Sequence, residues 1–189
     1  AGGSAVEVWS EGGSTFKELV EPLIPYAMRG VIWYQGESNG NTLQRAKDYA
    51  NLFPAMIRYW RARWGQEDFP FLYVQLAAFG GHPEWYFPQL RESQQKALTL
   101  PNTGMATAID LGSPRDDIHP AGKSEVGKRL ALLARRIAYG EPVVATGPTY
   151  RSAKVEHATI RLSFSDIGTG IVTGEPVWTY DGNPIPHSV

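Results

Sequence analysis

Three short apolar runs separated by helix-like segments constrain the fold of this chain more than any other feature. The runs cover residues 30–34, 69–78 and 104–110, and the first is rich in β-branched and aromatic side chains. Near-continuous apolar strands are typical of a parallel sheet that helices cover on both faces. The sequence therefore predicts an α/β fold in which strands and helices alternate.

The segments around these runs have helical periodicity. Helices are predicted over residues 15–28, 43–64, 88–99 and 120–139. Pro22 and Pro25 should interrupt the first helix, and Pro54 should kink or restart the second, because proline lacks the backbone N–H that a helix needs. Pro120 and Gly140 mark the expected start and end of the last helix.

The pattern changes after Gly140. Residues 141–189 contain short alternating stretches between Gly, Pro and Asp, which predict β-hairpins. We therefore divide the chain into an α/β domain over residues 1–140 and a β-rich segment over residues 141–189. That segment either packs on the first domain or begins a further β-domain.

Composition excludes several classes of protein. With 189 residues, 42% of them hydrophobic, the chain can bury a sizeable core, which a disordered chain cannot. No run approaches the roughly 18 apolar residues of a membrane span. Lys and Arg number 18 against 19 Asp and Glu, so no basic excess favours nucleic acid as a partner. The absence of Cys excludes disulfides, thiolate metal ligands and a cysteine nucleophile, and no two histidines have metal-ligand spacing.

Functional residues of parallel α/β folds lie in loops at the carboxyl ends of the strands, here loops 35–42, 78–87 and 111–119. The first loop has three possible interpretations. Ser38 could be the nucleophile of a G-x-S-x-G elbow. Alternatively, Asn39 could donate its side-chain NH₂ to an oxyanion, with Gln35 and Glu37 beside it. The third interpretation is a plain turn that ends a strand.

The loop at residues 111–119 holds a possible catalytic pair. His119 could take a proton from a serine hydroxyl, while Asp116 or Asp117 orients its imidazole. These aspartates could equally cap the following helix, with His119 a surface residue.

Two further segments are weaker candidates. The aromatic residues at 82–87 could stack on a sugar ring, although aromatic clusters more often serve packing. The glycines at residues 2–3 could turn backbone N–H groups toward an anion, or belong to a frayed terminus.

Four motifs, GVIWYQGESN, LFPAMIRYWRARWG, FPFLYVQLA and DIHPAGKSEVGKRLALLA, together resemble the sialate O-acetylesterase family. These proteins are carbohydrate esterases of the SGNH hydrolase superfamily. The resemblance covers about residues 2–164. It implies a three-layer α/β/α domain, often followed by an accessory β-domain. It also implies serine-dependent removal of acetyl groups from sugars, typically 9-O-acetyl sialic acid, without metal or cofactor, and it suggests a periplasmic or secreted protein.

The resemblance assigns roles to individual residues. A backbone N–H of Gly2 or Gly3 and the side chain of Asn39 would form the oxyanion hole. Gln35 and Glu37 belong to the same block as Asn39.

His119 matches the family's catalytic base, and Asp116 occupies the D-x-x-H position, with Asp117 as the alternative. The family's nucleophilic serine lies in a G-Q-S-N type motif upstream of the glycine block, and these 189 residues contain no such motif. We therefore expect an upstream segment or a second polypeptide to supply the serine. Three alternatives stay open: an acetylxylan-type esterase, a non-catalytic carbohydrate-binding fragment, and a hydrolase that uses Ser38.

Overall fold

A three-stranded parallel sheet forms the centre of the computed structural model, which describes residues 13–24, 26–66, 68–82, 84–112, 118–119 and 122–171. Its strands are β1 (Val31–Trp33), β2 (Phe71–Gln75) and β3 (Thr103–Thr107). The spatial order is β1-β2-β3, and both pairings are parallel. All three strands lie within or overlap the apolar runs, so the predicted parallel sheet is confirmed.

Helices cover both faces of the sheet. They are α1 (Leu43–Trp64), α2 (Phe87–Gln95) and α3 (Lys123–Ile137). Because side chains alternate along a strand, Phe71 and Tyr73 of β2 pack against α1 and α2, whereas Leu72 and Val74 pack against α3. Every residue of β2 is buried. This is the three-layer α/β/α arrangement that the sequence predicts.

Polar contacts connect the helices to the sheet as well. Arg61 of α1 is 5% exposed, and its guanidinium donates to the carbonyls of Phe69 and Pro101 at 2.8 Å each. Those residues precede β2 and β3, so one buried cation holds the segments just before two strands against α1. Hydrogen bonds of this kind are needed because an unpaired guanidinium in a core is costly.

The first predicted helix is irregular in the structure. In place of a regular helix over residues 15–28 there is a π-helical turn at Phe16–Val20 and a 3₁₀ turn at Glu21–Leu23. Pro22 lies inside the second turn, where its missing N–H prevents regular α-helical bonding. The interruption predicted at Pro22 is therefore confirmed, whereas Pro25 lies outside the described residues.

Other boundaries differ by a few residues. α1 is one helix from Leu43 to Trp64 and does not restart at Pro54, whose ring is buried in the core. The third strand ends at Thr107 rather than at residue 110, because Ile109–Leu111 turns into a 3₁₀ helix. The helix predicted to end at residue 99 finishes in a 3₁₀ turn, Lys96–Thr99. The last helix begins at Lys123, after Gly122, rather than at residue 120.

An antiparallel hairpin follows the α/β layers, as the alternating pattern predicts. Its strands are β4 (Thr149–Glu156) and β5 (Thr159–Ser165). The division of the chain into two domains stays a prediction. Within the described residues, no helix combines the length and the apolar character that crossing a bilayer requires.

Candidate functional site

The loops after β1, β2 and β3 leave the same edge of the sheet, because the three strands are parallel. Two contacts bring these loops together. Gly112 packs so closely on the second loop that a Cβ there would lie 2.5 Å from the backbone nitrogen of Ala78. Lys123, at the start of α3, places its ammonium group 4.8 Å from the ring centre of Tyr34, which directly follows β1. The described ends of the three loops therefore lie close together at one edge of the sheet.

The loop after β1 is a short 3₁₀ helix, Glu37–Gly40, that Gly36 introduces. Gly36 has φ +150°, a conformation that residues with a side chain rarely adopt, and it is buried against Leu90 and Leu76. The backbone N–H of Asn39 donates to the Gly36 carbonyl at 2.8 Å. The loop is thus a fixed structure that holds Asn39 half-buried at the edge of the sheet.

Ser38 lacks the setting of a nucleophile elbow. Such a serine lies on a strained turn from which a helix starts at once. Ser38 is exposed within the 3₁₀ helix, and it does not have a positive φ. α1 begins only at Leu43, where Thr42 caps it by accepting a hydrogen bond from the Arg45 N–H at 3.2 Å.

A chain of side-chain hydrogen bonds holds the Asn39 carboxamide. Gln35 donates from Nε2 to Asn39 Oδ1 at 2.9 Å, and the hydroxyl of Tyr49 in α1 donates to Gln35 Oε1 at 3.1 Å. Burial raises the pKa of Tyr49 to about 12, with a smaller contribution from the Glu37 carboxylate. Tyr49 therefore keeps its proton, and its ability to donate, at neutral pH.

Gln94 of α2 supports the same loop from beneath. It is fully buried, and its Nε2 donates to the carbonyls of Val74 and Gln35 at 3.1 and 3.4 Å. Its Oε1 accepts from the Leu76 N–H at 3.0 Å. One carboxamide thus joins the carboxyl ends of β1 and β2. Tyr49 and Gln94 were not among the site residues that the sequence predicts, since both fall on helix faces that periodicity assigns to the core.

His119 lies in the loop between β3 and α3 and is exposed to solvent. Asp110 and Arg129 fix the start of this loop through two hydrogen bonds of 2.7 and 2.6 Å, while Arg129 also donates to the Thr107 carbonyl at 2.8 Å. The Arg129 guanidinium lowers the pKa of the Asp110 carboxyl. The remaining predicted site residues, Gly2, Gly3, Asp116 and Asp117, lie outside the described residues.

The loop at 78–87 is an aromatic cluster. The rings of His82 and Trp85 stack with centroids 4.8 Å apart, and Trp85 also contacts Phe79 and Phe87. Tyr86 is 41% exposed beside an open pocket of about 380 Å³. Most of these rings pack on each other, so stacking on a sugar stays a prediction. Among the described residues, no three His, Asp or Glu side chains are grouped as a metal site would require.

Comparisons with known proteins agree with this geometry. A family model described as carbohydrate esterase, sialic acid-specific acetylesterase matches residues 1–136. Sialate O-acetylesterase of Rattus norvegicus is 39% identical over 141 residues, covering 65% of this chain and 26% of the rat protein. The Homo sapiens sialate O-acetylesterase is 34% identical over 183 residues, covering 74% of this chain and 35% of the human protein.

A solved structure is also similar. A carbohydrate acetylesterase from Xanthomonas citri is 40% identical and superposes with a TM-score of 0.74. The alignment covers 98% of this chain and 48% of the Xanthomonas chain. These 189 residues therefore span less than half the length of each of these relatives.

Proposed function

Because the chain belongs to the carbohydrate esterase family of sialic acid-specific acetylesterases, we propose that its protein is a serine esterase that removes O-acetyl groups from sugars. The proposed substrate is 9-O-acetylated sialic acid, since the rat and human relatives are sialate O-acetylesterases. The observation that carries the proposal is the contact between the start of α3, which follows the His119 loop, and the residue that precedes the Asn39 loop. Lys123, four residues after His119, contacts Tyr34, which lies next to Gln35 in the Asn39 loop.

His119 is the proposed general base. It takes the proton of the serine hydroxyl as the serine oxygen attacks the acetyl carbonyl, and it then gives that proton to the departing sugar oxygen. A water molecule hydrolyses the acetyl-enzyme with the same help from His119, which releases acetate and restores the serine. Asp116 or Asp117 would hold the imidazole in the correct tautomer.

Asn39 is the proposed side-chain donor to the oxyanion. In the tetrahedral intermediate the former carbonyl oxygen is negatively charged, and fixed N–H donors stabilise it. A backbone N–H of Gly2 or Gly3 is the second proposed donor. The serine itself would come from an upstream segment or a second polypeptide.

Covalent labelling tests where the serine is. The full-length protein is treated with a fluorophosphonate, digested, and its labelled peptide is identified by mass spectrometry. We expect the label on a serine outside these 189 residues, and Ser38→Ala should label equally well. Label on Ser38 would contradict the proposal and indicate a self-contained elbow hydrolase. Complete absence of label would instead indicate a carbohydrate-binding protein.

Acetate release tests the substrate and the base. We expect faster release from 9-O-acetylated sialic acid than from acetylated xylan, and near-complete loss of release in His119→Asn. The matched control is His157→Asn, which changes a histidine in the turn of the β4–β5 hairpin and keeps a residue type suited to its φ of +55°. Faster release from xylan would assign the acetylxylan alternative, and an active His119→Asn enzyme would exclude His119 as the base.

A further inference from the structure

The side-chain amide of Asn39 can serve an oxyanion only in one of its two orientations. The NH₂ end donates hydrogen bonds, whereas the oxygen end would repel a negative charge. Rotation of the side-chain amide by half a turn exchanges the two ends at almost no steric cost. Something in the surrounding structure must therefore select the correct orientation.

Gln35 makes that selection directly. Its Nε2 lies 2.9 Å from Asn39 Oδ1. A donor at this position binds the oxygen end of Asn39 and leaves its NH₂ end for another acceptor. The selection works only if Gln35 itself is held with its NH₂ end toward Asn39.

Tyr49 holds Gln35 in that orientation. Its hydroxyl is 3.1 Å from Gln35 Oε1, and the side chain is 4% exposed, so water does not compete for the bond. The same hydroxyl lies 3.3 Å from the backbone carbonyl oxygen of Gln35, so both of its acceptors belong to that residue. The contact to Oε1 is the shorter of the two, and the backbone carbonyl already accepts from Gln94, so the Tyr49 proton favours the side chain of Gln35, which presents its carbonyl end.

Gln94 prevents the loop from adjusting to another arrangement. Its Oε1 accepts from the Leu76 N–H, which can only donate, so the orientation of the Gln94 amide is unambiguous. Its Nε2 therefore donates to the Gln35 carbonyl and fixes the backbone at that residue. Both the backbone and the side chain of Gln35 are thus held by buried partners.

We propose that Tyr49 and Gln35 are positioning residues that fix the orientation of the Asn39 carboxamide, so that its NH₂ group faces the site of the oxyanion. The proposal rests on the proposed esterase function, because Asn39 needs an oxyanion to serve. It adds a relay of hydrogen bonds that runs from Tyr49 in α1, outside the loop, through Gln35 to the Asn39 carboxamide.

The substitution Gln35→Glu tests the relay in the full-length enzyme. A carboxylate at this position still accepts from Tyr49 but cannot donate to Asn39, and its size is nearly unchanged. We expect kcat for acetate release to fall at least roughly tenfold, within the loss that removal of an oxyanion donor causes, while KM stays near the wild-type value. Tyr49→Phe should reduce kcat in the same way but less. Gln44→Glu is the matched control, since Gln44 is an exposed glutamine of α1 that donates to Asp48 at 2.8 Å, and its kcat should equal the wild-type value.

A double-mutant cycle separates positioning from a purely structural role. In an Asn39→Ala background the relay has nothing left to orient, so Gln35→Glu should cause almost no further loss of kcat. The same fold-loss in both backgrounds would overturn the proposal, because it would show that Gln35 acts independently of Asn39. Unchanged kcat in the single variant Gln35→Glu would overturn it as well.

A neutron crystal structure of the Gln35→Glu variant, in which the deuterons distinguish the nitrogen of an amide from its oxygen, provides a readout that does not depend on turnover. We expect the Asn39 carboxamide to rotate and present its NH₂ group to the introduced carboxylate, which an unrotated Asn39 would contradict. If the wild-type enzyme releases no acetate from any acetylated sugar, the proposed function fails, and the rotation of Asn39 still decides whether the relay exists.

Discussion

A single residue, Asn39, shows how much of the site depends on local hydrogen bonding. Residue type and position after a strand make an oxyanion donor one of three possible interpretations of the Asn39 loop, and the family resemblance assigns Asn39 that role. The structure adds that its oxygen is already occupied by Gln35, while the side chain remains half-buried at the edge of the sheet. Asn39 therefore has its NH₂ group left to donate a hydrogen bond, as the proposed chemistry requires.

Truncation of this side chain should affect the transition state more than the bound substrate. We expect Asn39→Ala to reduce kcat by roughly 10²–10³ with little change in KM, because the hydrogen bond strengthens as charge develops on the oxygen. Steady-state kinetics of acetate release from the full-length enzyme measures this. Asn41→Ala is the control: Asn41 is exposed two residues further along and accepts a long hydrogen bond from Arg45 at 3.4 Å. Equal losses in the two variants would indicate damage to the loop rather than loss of a donor.

At the scale of elements, the sequence predicts best where local signals mark both ends. Helix α1 is observed at its predicted bounds because Thr42 caps its start and Gly65, in the left-handed conformation, ends it. β2 is shorter than its apolar run, since Leu76 and Ala77 are buried without belonging to the strand. A hydrophobic run indicates which residues are buried, whereas a strand ends where no neighbouring strand remains for it to pair with.

Contacts between elements far apart in sequence could not be predicted from the pattern. Gly112 lies against Ala78, and Gln94 donates to the Gln35 carbonyl. The sequence around these residues indicates neither contact. Both contacts depend on the order of the strands, because they connect loops only after the sheet has formed. The positions of the functional loops were predictable for the opposite reason, since any parallel sheet places them at one edge.

The contact at Gly112 gives a test at this scale. Gly112→Ala would place a Cβ 2.5 Å from the Ala78 nitrogen and closer still to its oxygen, and backbone atoms cannot move aside as a side chain can. We expect a lower melting temperature and reduced esterase activity, because the loop that carries His119 must shift. Gly127→Ala is the matched control, since a Cβ at this position in α3 meets nothing within 4 Å. It should instead stabilise the helix by about 1 kcal/mol, and a Gly112→Ala enzyme as stable and active as wild type would refute the close contact.

At the scale of the whole molecule, burial is distributed unevenly. β2 is paired on both sides and buried at every residue, whereas the β4–β5 hairpin is exposed along nearly all its length. One face of the hairpin is entirely apolar and exposed, consisting of Tyr150, Ala153, Val155, Ile160, Leu162 and Phe164. A two-stranded sheet without a packed face is at best marginally stable in water.

Hydrogen exchange should therefore divide the 189-residue chain into regions of different stability. We expect the amides of Phe71–Gln75 to exchange most slowly, because their release requires unfolding of the three-layer core. Those of Thr159–Ser165 should exchange much faster, through opening of the hairpin alone. Mass spectrometry of peptides from the two strands after timed exposure to D₂O compares them directly, with α3 as an internal reference of intermediate burial. Protection of the hairpin as strong as that of β2 would contradict this expectation, because it would require another surface to cover the apolar face.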